Sequence, residues 1–148
     1  MTIWKKLRRM MIVVKFNTVS ELKEYREAIK GVGLNVHECS ILCIVNSKKE
    51  NALMRDLGSV VFLSEKEYNL FGGIKNESAN KLLAENFDAV VFMGDFSKKI
   101  RKSVKKVSPQ ITVGVNAKKT ETDINLQSKS DKPDHLINFV RETLQKIS

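Results

Sequence analysis

Apolar positions fall into two kinds of segment that alternate along this chain. Ser40–Val45, Val60–Leu63, Ala89–Met93 and Ile111–Val115 are short, unbroken apolar runs. Such runs predict strands covered on both faces, as in a parallel sheet between two helix layers. Between and after them, apolar residues recur three and four apart: Ala52, Leu53 and Leu57; Ala79, Leu82 and Leu83; Ile100, Val104 and Val107; Leu136, Ile137, Val140, Leu144 and Ile147. These spacings predict helices. Ser47-Lys48-Lys49-Glu50 forms a capping box at the start of the first, Ser97 caps the third, and Pro109 stops it. A weaker strand signal covers Thr122 to Leu126.

The first third is patterned differently. Ile3, Leu7, Met10 and Val14 share a helical face, with Trp4 and Met11 beside them and the basic residues largely opposite. That predicts a short amphipathic helix. Thr18-Val19-Ser20-Glu21 fits a second capping box, opening a helix that carries Leu22, Tyr25, Ile29 and Val32 and ends at Gly31 or Gly33. The expected architecture is therefore a three-layer wound α/β domain. Its sheet is mainly parallel, with about four to five strands. Amphipathic helices occupy residues 1–33 and one Rossmann-like domain occupies 34–148.

Composition narrows the class. With 148 residues and 42% hydrophobic content, the chain suits one sizeable core, which excludes wholesale disorder. No apolar run approaches the roughly 20 residues that span a bilayer. Lys5, Lys6, Arg8 and Arg9 precede Met10–Val14 as in a secretory signal, yet Lys15 interrupts the apolar part after five residues, so the segment is read as retained. Cys39 and Cys43, four apart on an extended segment, lie about 13 Å from each other, too far for a disulfide. Only His37 is near enough to join a metal site with them. Buried free thiols in a reducing cytosol are expected, with no metal and no cofactor.

In an open parallel sheet, ligands bind beyond the carboxyl ends of the strands. That edge comprises Asn46, Ser47, Ser64, Gly94, Asp95 and Asn116, all small or polar. Ser47 opens a helix, with Lys48 and Lys49 close by, where an anion would be favoured. No G-x-G-x-x-G or G-x-x-x-x-G-K-[ST] phosphate loop is present, and no G-x-S-x-G elbow. Phe71-Gly72-Gly73-Ile74-Lys75 reads as a tight turn. Asp95 stands where a catalytic carboxylate stands in such folds, and equally where it would stabilise the start of the next helix.

The formal charge of +9 is concentrated. Residues 1–16 carry five basic residues and no acid, residues 96–120 carry eight and no acid, and the remainder sums to −4. Lys98, Arg101, Lys102, Lys105 and Lys106 cover the solvent side of the helix after Asp95. Such a face suits an anionic partner, a membrane surface or nucleic acid.

Phe71–Lys75, Phe87-Asp88-Ala89-Val90-Val91-Phe92, Ile111–Val115 and the closing helix resemble a single-domain α/β family of Bacteroidota without assigned activity. The motif of an aromatic residue and Asp, an apolar strand, a helix and a strand ending in Val-Gly is also similar to the first Rossmann-like half of family 9 glycosyltransferases. There Phe92 takes the place of an acid. Both resemblances imply the fold, and fold alone does not carry an activity.

Two functions are expected from these features. The first is a non-catalytic cytoplasmic binding domain, with the inner face of the membrane as an alternative location, using its basic surface. The second is a small enzyme or ligand-binding domain, remotely glycosyltransferase-like, working at the carboxyl edge of the sheet.

Overall fold

A computed structural model describes residues 1–32, 38–46, 60–118 and 121–148. Its strands are β1 (Arg9–Lys15), β2 (Glu38–Val45), β3 (Val60–Ser64), β4 (Ala89–Met93), β5 (Ile111–Val115) and β6 (Ile124–Leu126). The described helices are α1 (Ile3–Lys6), α2 (Val19–Val32), α3 (Glu77–Leu83), α4 (Lys98–Lys105) and α5 (Pro133–Gln145). All six strands form one parallel sheet in the order β3-β2-β1-β4-β5-β6. The wound α/β expectation holds; the weak signal before Leu126 is a true edge strand, and the sheet is one strand larger than expected because Arg9–Lys15 is a strand as well.

The helix expected through Ile3–Val14 is corrected. A single turn, α1, is followed by β1, which lies at the centre of the sheet between β2 and β4. The helical stripe was one reading of a run that is apolar all round. Met10, Ile12 and Val14 enter the core on one face of the sheet, while Met11 and Val13 enter the core on the other. Two-sided burial and the β-branched Ile12-Val13-Val14 favour a strand. So the segment 1–33 is not a helical extension; it supplies the strand on which both halves of the sheet are built.

One core layer joins β1 to α1, α2 and α5 through Trp4, Leu7, Leu22, Tyr25, Leu136, Ile137, Val140 and Leu144. The other joins it to α3 and α4 through Ala79, Leu82, Leu83, Ile100 and Val104. Trp4 is therefore docked inside, and the Ile3 N–H donates to the Ile147 carbonyl at 2.8 Å.

The helix starts follow their sequence signals with one change. The Asn76 side chain accepts from the Ala79 N–H at 3.0 Å, and the Ser97 hydroxyl accepts from the Ile100 N–H at 3.3 Å. Thr18 caps α2 by accepting from the Glu21 N–H at 3.0 Å, but the Glu21 carboxylate takes the Asn17 side-chain amide rather than closing a box. A complete capping box occurs instead at Ser64–Glu67, around a short 3-10 turn. The helix expected from Ser47 lies outside the described residues.

Candidate functional site

The strand order reverses between β1 and β4. At such a point the two flanking loops diverge and leave a crevice above the carboxyl ends. The loops that would border it here are Lys15-Phe16-Asn17-Thr18 after β1 and Gly94-Asp95-Phe96-Ser97 after β4. The loop after β1 was missed by periodicity, because β1 itself was read as helix. Its signal was the break at Lys15-Phe16-Asn17 before the Thr18 cap.

Lys15 and Phe96 approach each other between these loops, the Lys15 Nζ lying 5.4 Å from the Phe96 ring centroid. Gly94 adopts φ +97° and donates its N–H to the Val115 carbonyl at 2.8 Å, a backbone that only glycine takes without strain. The Asp95 carboxylate accepts from the Lys118 N–H through both oxygens, at 2.9 and 3.1 Å. Asn116, at φ +53°, accepts from the Ser128 N–H at 2.7 Å. These three edge residues thus gather where β4 and β5 end, and bind the loops after β5 and β6.

Ser64 and Asn46 gather at the other half of the edge. Ser64 is buried; its hydroxyl accepts from the Lys66 N–H at 3.2 Å and donates to the Asn46 carbonyl at 3.4 Å. Asn46 is exposed, and Ser47 lies outside the described residues. The five described candidates therefore do not converge on one point. A narrow cleft of about 30 Å³ lies beside Gly94, Asp95, Phe96, Arg101, Ala117 and Glu121. That is space for about one water molecule.

On α4, Lys98, Lys99, Lys102, Lys105 and Lys106 are exposed, whereas Arg101 turns inward. Arg101 pairs with Glu121 and donates from Nε to the Phe96 carbonyl at 3.2 Å, and Lys105 lies 3.9 Å from the same carboxylate. The hydrogen bond and charge of Arg101, with Lys105 and Lys98 adding to them, hold the Glu121 carboxyl below its ordinary range. A depressed folded-state value means this pairing supports the fold at neutral pH and is lost as pH falls through it. In a carboxyl NMR titration, Arg101→Ala is expected to return Glu121 toward the ordinary value; an unchanged midpoint would show that the pair does not form in solution.

The flank of α4 carries a second contact. Tyr68 donates to or accepts from the Ser103 hydroxyl at 2.8 Å, and Lys99 Nζ sits 5.1 Å from the Tyr68 ring centroid. Burial, the larger influence, raises the Tyr68 phenol against the opposing effect of the Ser103 bond, so the hydroxyl is neutral at physiological pH.

Among the described residues no three His, Cys, Asp or Glu side chains converge as metal ligands. Cys39 and Cys43 are not joined in a disulfide; the first is half-buried and the second buried. His135 is exposed, with Nδ1 at 2.7 Å from the Ser130 hydroxyl; His37 lies outside the described residues. Among the described residues no helix is long and apolar enough to cross a membrane.

The strand order, reversing between β1 and β4, and the parallel pairing throughout define a Rossmann-like, all-parallel α/β protein. Residues 2–147 match the profile of a family described as "Family of unknown function (DUF6913)". The chain belongs to that family. No curated protein matches it. Among solved structures, it is similar to a family 9 glycosyl transferase from Veillonella parvula DSM 2008, at 16% identity and TM-score 0.49, over 90% of this chain and 40% of that one. It is also similar to carbon monoxide dehydrogenase IV from Carboxydothermus hydrogenoformans, at 11% identity and TM-score 0.42, over 95% of this chain and 22% of that one. The chain thus spans less than half the length of either protein.

Proposed function

We propose that this protein is a non-catalytic binding domain whose α4 face engages an anionic partner. One observation carries the reading: five lysines on two and a half turns of helix are exposed together, while of the acids beside them Glu121 is paired with Arg101 and Glu65 accepts from the Ser97 hydroxyl. Keeping five like charges side by side disfavours the helix, a cost an anionic partner would relieve. The amino-terminal basic segment supports this arrangement at one end. The Asp88 carboxylate accepts from the Arg8 N–H at 2.8 Å, and its carbonyl accepts from the Gln110 N–H at 2.9 Å, four residues after Lys106. Chemistry at the carboxyl edge has less support, since Ser64, Asp95 and Asn116 are engaged in holding loops.

The test is retention on a heparin resin, with Lys98, Lys102 and Lys106 all changed to Glu. The comparison variant changes Lys23, Lys30 and Lys81 to Glu, which alters net charge equally but leaves α4 intact. At about 1 kcal/mol for each lysine near an anionic surface, the α4 variant is expected to lose binding on the order of a hundredfold. The comparison variant should elute close to the wild type. Equal losses in both would mean that net charge, not this face, is responsible.

A further inference from the structure

Beside the basic helix stands a turn that presents two apolar side chains to solvent. Leu70 is 100% exposed and Phe71 is 98% exposed. Loop softness does not account for this exposure, because the turn is tied at every step. The Asn69 side-chain oxygen accepts from the Phe71 N–H at 2.9 Å and from the Gly73 N–H at 2.8 Å. The Asn69 N–H donates to the Gly73 carbonyl at 2.7 Å, and the Gly72 N–H donates to the Asn69 carbonyl at 3.1 Å. Gly72 takes φ +83°, Tyr68 and Ile74 form an antiparallel bridge, and the Lys75 N–H donates to the Glu67 carbonyl at 2.7 Å.

The base of this turn is fastened to α4 by Tyr68, through its hydroxyl to Ser103 and its ring beneath Lys99. Helical spacing places Lys99, Lys102 and Lys106 on the edge of α4 nearest that contact. Phe71 is three residues from Tyr68, no more than about 10 Å along the chain. A rigid apolar tip and a row of ammonium groups are therefore side by side.

We infer that the anionic partner is a lipid bilayer, with Leu70 and Phe71 entering the headgroup–acyl boundary while the lysines of α4 lie among anionic headgroups. The inference rests on the charge-based reading of α4 and adds the identity of the partner. Single-stranded nucleic acid would use Phe71 by stacking but has no comparable use for the aliphatic Leu70. An interface of acyl chains and anionic headgroups uses both side chains and the charge together.

The experiment is co-sedimentation of the full chain with phosphatidylcholine vesicles containing about one third phosphatidylglycerol, over a salt series. Heparin retention, affinity for a single-stranded RNA and sedimentation velocity are measured in parallel. L70S/F71S is expected to bind these vesicles about tenfold more weakly or worse, with heparin retention unchanged. Its folding is checked by circular dichroism. In a separate F71W variant, the added tryptophan should shift to the blue and be quenched by brominated lipid when vesicles are present. Vesicle binding indifferent to L70S/F71S, or no spectral change in bound F71W, would overturn the inference. So would RNA or heparin binding without vesicle binding, and each of these results leaves the charge reading standing. Loss of a dimer in L70S/F71S would overturn it too, assigning the tip to a second copy of the chain. Binding to none of these polyanions would remove both.

Discussion

Ile12→Ala is expected to lower the free energy of unfolding by about 3 kcal/mol, within the roughly 2–5 kcal/mol range for such truncations in a packed core. Ile12 is fully buried and stands opposite Ile41 on β2 and Val91 on β4. Removing its outer carbons leaves a void that neither neighbouring strand can close without breaking register with the other. In urea, with a slope near 1.5 kcal/mol per molar, the midpoint should fall by about 2 M. Ile3→Ala, at a partly buried position of α1, should cost distinctly less. A loss for Ile12 below about 1 kcal/mol would mean that β1 is not the central strand, and the order of the whole sheet would have to be redrawn.

That strand also marks where sequence patterning reached its limit. Unbroken apolar runs located β2, β3, β4 and β5, because a buried parallel strand has no polar side to interrupt it. Met10–Val14 is the same kind of run, but Ile3 and Leu7 extend it backwards at helical spacing, and a short apolar run fits both periods. Misreading β1 hid the strand order, and with it the position where the order reverses. The loop Lys15–Thr18 went unnoticed beside that position for this reason alone.

The edge residues were found by position, yet position does not disclose what a side chain bonds to. Asp95 and Lys118 are brought together by the return of β5 beside β4. Likewise Asn116 meets Ser128 only once β6 is placed. On α4, charge counting grouped Arg101 with the lysines. Its turn toward Glu121 depends on the path of the chain between β5 and β6, which no local pattern encodes. Phe71–Lys75 was legible as a turn, though the exposure of Leu70 and Phe71 at its tip was not. Its place beside the basic face depends on Tyr68 reaching Ser103, a contact between residues 35 positions apart.

Asp88→Ala is expected to destabilise the protein by about 2 kcal/mol, the scale for leaving backbone donors without a charged acceptor. One Asp88 oxygen accepts from the Arg8 N–H at 2.8 Å and the Arg9 N–H at 3.0 Å. Its own N–H donates to the Arg9 carbonyl at 2.9 Å, and its carbonyl accepts from Gln110 and Ile111. The residue therefore ties together the starts of β1, β4 and β5. Phe87, just before it, is buried with the Arg9 guanidinium 4.7 Å from its ring centroid, and Arg9 also pairs with Glu85 at 3.0 Å. The aromatic-Asp motif that prompted the glycosyltransferase resemblance is, in this chain, a fastening at the amino edge of the sheet. It lies at the opposite end of β4 from Asp95. Because both N–H groups reach the same oxygen, Asp88→Asn retains an acceptor for them and should recover about half of the loss. Urea unfolding measures the two variants, and hydrogen exchange at Arg9 locates the damage. Unchanged stability and exchange in Asp88→Ala would detach the motif from the fold and reopen its amino-edge position as a place for chemistry.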